Sequence, residues 1–211
     1  MMEGSKRGAK AVQRREEILD AALICFREKG FHAASMNLIS KAFGMSAGHI
    51  YNYFDSKESI IAALVDRWVE GYIRRPPFPV ELDPHIQYEK LLKSVRAELS
   101  ENIDGRDKAL LFEIAAESLR NEKIARSIRE AHEKASRHIR ENVLLRYKKL
   151  GRKPPEDLDA RIAICSSIFD GVCFRSIADS SMSAEELAPV LTRILLDVEN
   201  MPDSKEPIEQ A

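Results

Sequence analysis

Gly44-Met45-Ser46-Ala47-Gly48-His49-Ile50-Tyr51-Asn52-Tyr53-Phe54-Asp55-Ser56-Lys57-Glu58 is the stretch that decides how this 211-residue chain folds. Gly44 ends one short helix and Met45 fills the turn. Ser46 starts the next, because its hydroxyl can accept from the freed backbone N–H groups of the first turn. Over Ala47–Tyr53 the helical period puts Ile50 and Phe54, four apart, on one face, where they can lock onto Ile39 and Leu19. Ala47, His49 and Asn52 cannot join that face and are left outward, where a short helix meets base edges in a major groove. Gly48 has no side chain, so the backbone there can approach a phosphate or a base edge. Tyr51 reads either as a hydroxyl for a phosphate oxygen or as a packing aromatic, and His49 as a base contact or an ordinary exposed histidine. Ser56 caps a third start, and Lys57 brings an ammonium to its first turn, where dipole and charge together attract phosphate.

Working outward, the period is helical nearly everywhere, and no run alternates long enough to be a strand. Upstream, a helix from about Ala9 to Lys29 carries the row Ile18, Ala22, Phe26 with Leu19 and Leu23 beside it. Gly30 stands where a left-handed cap belongs, and Phe31 is the apolar residue that folds back over it. Ser35 caps a short helix through Leu38, Ile39 and Ala42. Downstream, Ile60, Ile61, Leu64, Val65, Trp68 and Tyr72 form the apolar face of the helix begun at Ser56. Arg74-Arg75-Pro76-Pro77-Phe78-Pro79 then breaks the pattern, since proline lacks a donor and disfavours helix in the residue before it. Beyond it, Asp83-Pro84 opens a helix near 84–102, Asp104-Gly105 marks a turn before a helix over 106–119, and Asn121 caps a long polar helix to about Leu150. The segment 157–180 is the most apolar of this half, and the capping box Ser183-Ala184-Glu185-Glu186 launches a last helix to about Asn200. The expectation is an all-α protein of about nine helices. Residues 1–13 form a basic flexible arm, 14–72 a helix-turn-helix domain with its connecting helix, 73–200 a helical ligand-binding and dimerisation domain, and 201–211 a loose tail.

Composition narrows the class. Hydrophobic content of 44% with 32% charged residues is that of a soluble globular chain. No apolar run nears the roughly 20 residues of a membrane span, and the polar N-terminus lacks the core of a secretory signal. Three scattered cysteines, Cys25, Cys165 and Cys173, point to a reducing compartment, so the expected location is the cytoplasm, with no membrane contact. Net charge is −1, yet residues 1–75 hold 12 Lys/Arg against 9 Asp/Glu and the remainder 21 against 25. That slight basic bias of the head fits docking on nucleic acid without deciding it. No Gly-rich phosphate loop, metal-ligand cluster or nucleophile–base motif is present, and the five histidines do not repeat at ligand spacing. The chain therefore reads as a non-enzyme with no catalytic residue, no metal and no cofactor.

Taken with Gly30-Phe31-His32-Ala33-Ala34-Ser35-Met36, the opening stretch closely resembles the DNA-binding domain of the TetR family of bacterial repressors, across roughly residues 14–72. The resemblance implies that Ser35, Ser46, Gly48, Tyr51, Tyr53 and Lys57 contact the DNA backbone. It also implies a double-stranded operator bound by a homodimer, whose last two helices pair with their partner copies over residues 157–200. Two positions depart from the family pattern: Ala47 stands where a basic residue is common, and Leu38 where an acidic one is. Ala47 shifts base reading towards His49 and Asn52.

The run Ala109-Leu110-Leu111-Phe112-Glu113-Ile114-Ala115-Ala116-Glu117-Ser118-Leu119-Arg120 resembles the branch holding repressors of efflux pumps, glucuronide use and choline metabolism. It implies a small-molecule inducer held between helices, its identity unknown, and release from DNA by a population shift in which helix 56–73 acts as a lever. Glu113 and Glu117, four apart, either face inward to hold a cation or hydroxyls, or leave Glu117 to pair with Arg120 or Arg161. Trp68, Tyr72, Phe112, Phe169, Cys173 and Phe174 are candidate pocket walls, or simply core. The alternative function is an architectural or activating helix-turn-helix protein with no small-molecule ligand.

Overall fold

The computed structural model describes residues 2–203, with side chains from residue 8 onward. Among them lie nine helices and no strand: α1 (Met2–Ala33), α2 (Met36–Phe43), α3 (Ala47–Tyr51), α4 (Lys57–Ile73), α5 (Pro84–Asp104), α6 (Lys108–Ser118), α7 (Glu122–Lys149), α8 (Leu158–Ala178) and α9 (Ala184–Asn200). The caps are those the sequence places. Ser35 Oγ accepts from Leu38 N at 3.2 Å, Ser46 Oγ from His49 N at 3.3 Å, and Asp83 Oδ1 from His85 N and Ile86 N at 2.9 and 3.0 Å. Ser56 does more than expected, forming a reciprocal capping box with Ser59. Ser183 caps α9 through Glu185 N at 3.2 Å, a single bond in place of the capping box with Glu186 that was expected.

Three expectations change. Residues 2–13, expected as a flexible arm, continue α1 as helix, since Ala9, Lys10, Ala11 and Gln13 extend a helix already nucleated by the packed turns behind them. Gly30 has the positive φ foreseen, 75°, but with ψ 165° it makes a kink, not a left-handed cap, and a further helical turn follows to Ala33. Phe31 does fold back, buried, with its ring 6.0 Å from that of Phe26. The tail is held at its start, because Arg161 donates to the carbonyls of Met201 and Pro202 at 2.9 and 2.7 Å and Asp203 accepts from Glu156 N at 2.8 Å. Residue 1 of the arm and residues 204–211 of the tail lie outside the described residues.

The chain divides into two compact units, and the division is not the single cut expected near residue 73. Residues up to Arg74 pack with Arg106–Ala135, while Arg75–Gly105 pack with the residues from Ser136 on. The cause is visible in the first core. Ile18, Leu19, Ala22 and Phe26 of α1, Ile39 of α2, Ile50, Phe54, and Ile60, Ile61 and Leu64 of α4 share it with Leu110 and Ile114 of α6 and Ile124 and Ala131 of α7. Two ion pairs reinforce this: Arg27 with Asp107 at 2.6 Å and Lys134 with Asp66 at 2.7 Å.

The second unit is built on α5, whose Leu91, Val95, Leu99 and Ile103 (the i, i+4, i+8, i+12 row) meet Ala188 and Leu191 of α9. Ile168, Phe169 and Val172 of α8 cover the same core. The end of α9 is fastened by arginines. Arg146 grips Glu199 with two nitrogens at 2.8 and 2.7 Å and donates to Pro79 O at 2.6 Å, and Arg161, paired with Asp157, donates to Val198 O at 2.7 Å. Arg161 thereby satisfies one of the last carbonyls of the helix, and both guanidiniums bring positive charge to an end where the dipole favours it. Beside them, burial and Glu199 push the Tyr147 phenol above its ordinary value.

Candidate nucleic-acid interface

A five-residue helix is too short to hold itself in water, so α3 exists because its neighbours fix it. Ile50 is fully buried and Phe54 is 1% exposed, both in the core that contains Ile39 and Leu19, as the four-residue spacing requires. Ser46 caps one end. At the other, α3 stops at Tyr51, two residues sooner than expected, and Asn52 N donates back to His49 O at 3.3 Å. Arg15 was not foreseen there: its guanidinium lies 4.1 Å over the Phe54 ring and donates to Tyr53 O at 2.8 Å. Only the basic pair Arg14-Arg15 ahead of the apolar row could have signalled it.

This anchoring leaves Gly48, Tyr51 and Asn52 exposed and Ala47 and His49 half-buried. A methyl group added at Gly48 would meet nothing within 4 Å, so no packing inside the chain demands glycine there. Tyr51 is 49% exposed, and the packing role falls instead to Tyr53, which rests on the core and lies with its ring 5.5 Å from that of His49. Ser35 and Ser46 each use an oxygen lone pair in capping, which leaves the hydroxyl proton to donate elsewhere. Lys41, in the last turn of α2, is an exposed cation that the sequence reading passed over. Lys57 is more committed than expected: Nζ donates to Phe31 O at 2.6 Å and to His32 O at 3.4 Å, and sits 4.1 Å over the Phe31 ring. An ammonium has three protons, so one donor remains.

The ligand candidates divide between the two units. Trp68, Tyr72, Phe112, Glu113 and Glu117 belong to the first unit, and Phe169, Cys173 and Phe174 to the second. Trp68 and Phe169 pack on their respective cores. Tyr72, Phe112 and Cys173 are half-buried, while Phe174 is 65% exposed. The two glutamates turn to α1: Glu113 accepts from Phe31 N at 2.6 Å, and Glu117 lies 3.2 Å from His32, a partner other than the Arg120 or Arg161 expected. An open cleft of about 360 Å³ in the second unit is lined by none of these residues but by Arg96, Ser100, Ile103, Asp104 and the start of α9. Burial pushes the Cys25 and Cys165 thiols up, away from thiolate chemistry. Among the described residues no group of acids, histidines and cysteines could hold a metal, and no helix is long and apolar enough to cross a membrane.

Known proteins share both the motif and the whole architecture. The sequence profile of the bacterial regulatory proteins of the tetR family matches residues 18–64. The HTH-type transcriptional regulator UidR of Escherichia coli is 32% identical over 174 residues, which span 82% of this chain and 84% of UidR. The solved structure of Salmonella enterica GusR superposes with a TM-score of 0.64 at 29% identity, covering 89% of this chain and 95% of GusR. Bacillus subtilis FadR, solved in complex with stearoyl-CoA, shares the fold at 19% identity, with a TM-score of 0.65 over 87% of this chain and 98% of FadR. With its capped and anchored α3 and a relative 32% identical over more than four-fifths of both chains, the chain belongs to the TetR family of bacterial transcriptional regulators.

Proposed function

We propose that the chain is a cytoplasmic repressor that binds a palindromic operator as a homodimer and is released by a small-molecule inducer. The observation that carries the DNA half is the division of α3. Ile50 is buried and Phe54 anchors the residues behind the helix, while Gly48, Tyr51 and Asn52 stay exposed on a serine-capped start. In this reading residues 14–72 make the DNA contacts and 73–200 carry ligand response and dimerisation, with Arg106–Ala135 of that stretch packed into the DNA-binding unit. His49, Asn52 and Ala47 face base edges, and Ser35, Ser46, Gly48, Tyr51, Tyr53 and Lys57 lie along the backbone. Selection from a random duplex pool tests it, with two inverted half-sites about one helical turn apart as the expected product. His49→Ala is expected to weaken the best duplex by about 1–3 kcal/mol while sparing non-specific binding, so that base preference at one half-site position flattens. Uniform weakening of every sequence would remove His49 from base reading.

Dimerisation is supported by an apolar stripe that neither core uses. Ile164 and Phe174 lie 62% and 65% exposed on α8, with the exposed Ser167 and Gly171 between them at helical spacing, and Val190 and Ile194 are exposed four apart on α9. Paired with a second copy, the two helices would form a four-helix interface. Phe174, expected as a pocket wall, then belongs to this face. Phe174→Glu is expected to convert a 48-kDa-class dimer into the 23.9-kDa chain in light scattering. Its helix content should be unchanged, because Phe174 lies outside the core. An unaltered dimer would move the interface elsewhere. Inducer binding is supported by the family resemblance, and a compound that fits should raise the melting temperature and lower operator affinity together.

A further inference from the structure

Glu113 and Lys57 act on one residue from opposite sides. Gly30 kinks α1, with φ 75° and ψ 165°, and presents the next peptide to α6. There the Glu113 carboxylate accepts the Phe31 N–H at 2.6 Å. The Phe31 carbonyl accepts Lys57 Nζ at 2.6 Å, and the ammonium also rides 4.1 Å over the Phe31 ring. An anion therefore holds the donor of Phe31 and a cation holds its acceptor, each in a charge-assisted bond of the stronger kind. The fit is close: a methyl group built on Gly30 would stand 3.0 Å from Glu113 Oε1 and 3.1 Å from Oε2.

The two helices that bracket α3 both begin close to this residue. Ser35, the cap of α2, follows Phe31 by four positions, and Lys57 is the first residue of α4. A glycine with free ψ is the natural pivot between α1 and α2, and α6 supplies the group that stops it. Asp107 pairs with Arg27 at 2.6 Å and so holds the start of α6 against the same end of α1, and Glu117 lies 3.2 Å from His32. Neither touches the hinge peptide itself.

We propose that Glu113 is a positioning residue for DNA recognition: by closing the Gly30–Phe31 hinge it sets α2 and Lys57, and through them α3, in the arrangement that binds DNA. This rests on the DNA-binding reading above and adds a residue that the reading does not contain. The role needs only an acceptor for the Phe31 N–H, so glutamine should serve and alanine should not.

The test compares the wild type, Glu113→Ala and Glu113→Gln on a duplex that the wild type selects from a random pool, alongside amide exchange at Phe31 and thermal unfolding. Glu113→Ala is expected to lose about tenfold in affinity and to gain at least about tenfold in Phe31 exchange, with the melting temperature within a few degrees of wild type. Glu113→Gln should keep both affinity and protection. If Glu113→Ala frees the Phe31 amide yet binds the duplex as the wild type does, the positioning role is wrong. If Glu113→Gln binds as weakly as Glu113→Ala while protecting the amide, charge and not the hinge bond matters, and the proposal also falls. A wild-type chain that selects no duplex at all would instead overturn the DNA-binding reading on which it stands.

Discussion

Phe54→Ala is expected to destabilise the first unit by about 3–5 kcal/mol and to abolish α3 as a presented helix. The ring is 1% exposed and lies in the core with Ile18, Leu19, Ile39, Ile50 and Ile60, so its loss opens a cavity on several sides at once. The backbone N–H of Phe54 donates to Ile50 O at 3.0 Å, and the guanidinium of Arg15 stacks on the ring while bonding the Tyr53 carbonyl. Truncation removes the stacking surface and loosens the turn that closes α3. Because the single tryptophan, Trp68, packs on this core, its fluorescence reports the first unit. Far-UV circular dichroism reports helix throughout the chain. In denaturant the variant should lose the fluorescence signal at a lower midpoint than the ellipticity, with the two transitions separated. Coincident transitions shifted equally would mean that the units unfold as one. A fluorescence midpoint unmoved from wild type would mean that Phe54 does not hold this core.

Arg146→Met should have a comparable effect in the other unit. Arg146 and Glu199 are only 13% and 11% exposed at their side chains, and their contact is bidentate. Removing the guanidinium leaves the carboxylate of Glu199 without that partner and the Pro79 carbonyl without its donor. Breaking a buried pair from one side costs about 3–5 kcal/mol, chiefly through the charge left behind. The end of α9 and the loop after α4 should loosen together. The discriminating variant is Arg146→Met with Glu199→Leu, which removes both charges and should recover much of the loss. Light scattering extends the test, since a frayed α9 should also weaken the dimer. If the double variant is no more stable than the single, the effect is one of packing and not of an unpaired charge.

The sequence made some features legible and hid others for definite reasons. Local signals are written in local spacing. Ser35, Ser46, Ser56, Asp83 and Ser183 each cap the helix that follows them, and Ile50 and Phe54 are buried on the face that their separation of four dictates. The apolar character of α8 was equally plain, though it mixed core residues such as Phe169 with exposed ones such as Phe174. What was not legible is pairing across long separations. Glu113 reaches a backbone amide 82 residues away, Glu117 meets His32, and Arg146 meets Glu199; no pattern within a helix names such partners. For that reason the spacing of Glu113 and Glu117 leaves open a ligand pair or a salt bridge of Glu117 to Arg120 or Arg161, and does not show their contacts with α1. The same blindness placed a boundary at the prolines after α4 and missed that α6 packs with the first unit, because shared burial of Leu110 and Ile114 with Ile18 appears only in three dimensions. Residues 2–13 were misjudged differently: their polarity suggested an arm, but a polar face does not stop a helix that a packed segment has nucleated.

Whether the face around Ser46–Tyr53 reads a two-fold operator is decided by titrating the full chain, by fluorescence anisotropy across a range of salt, against the selected duplex and against the same duplex with one half-site scrambled. Two chains per intact duplex are expected, with a preference over unrelated DNA of about a thousandfold or more and a steep fall of affinity with salt. Scrambling one half-site should remove most of that preference. Equal affinity for the intact, half-scrambled and unrelated duplexes at every salt concentration would contradict that two-fold reading.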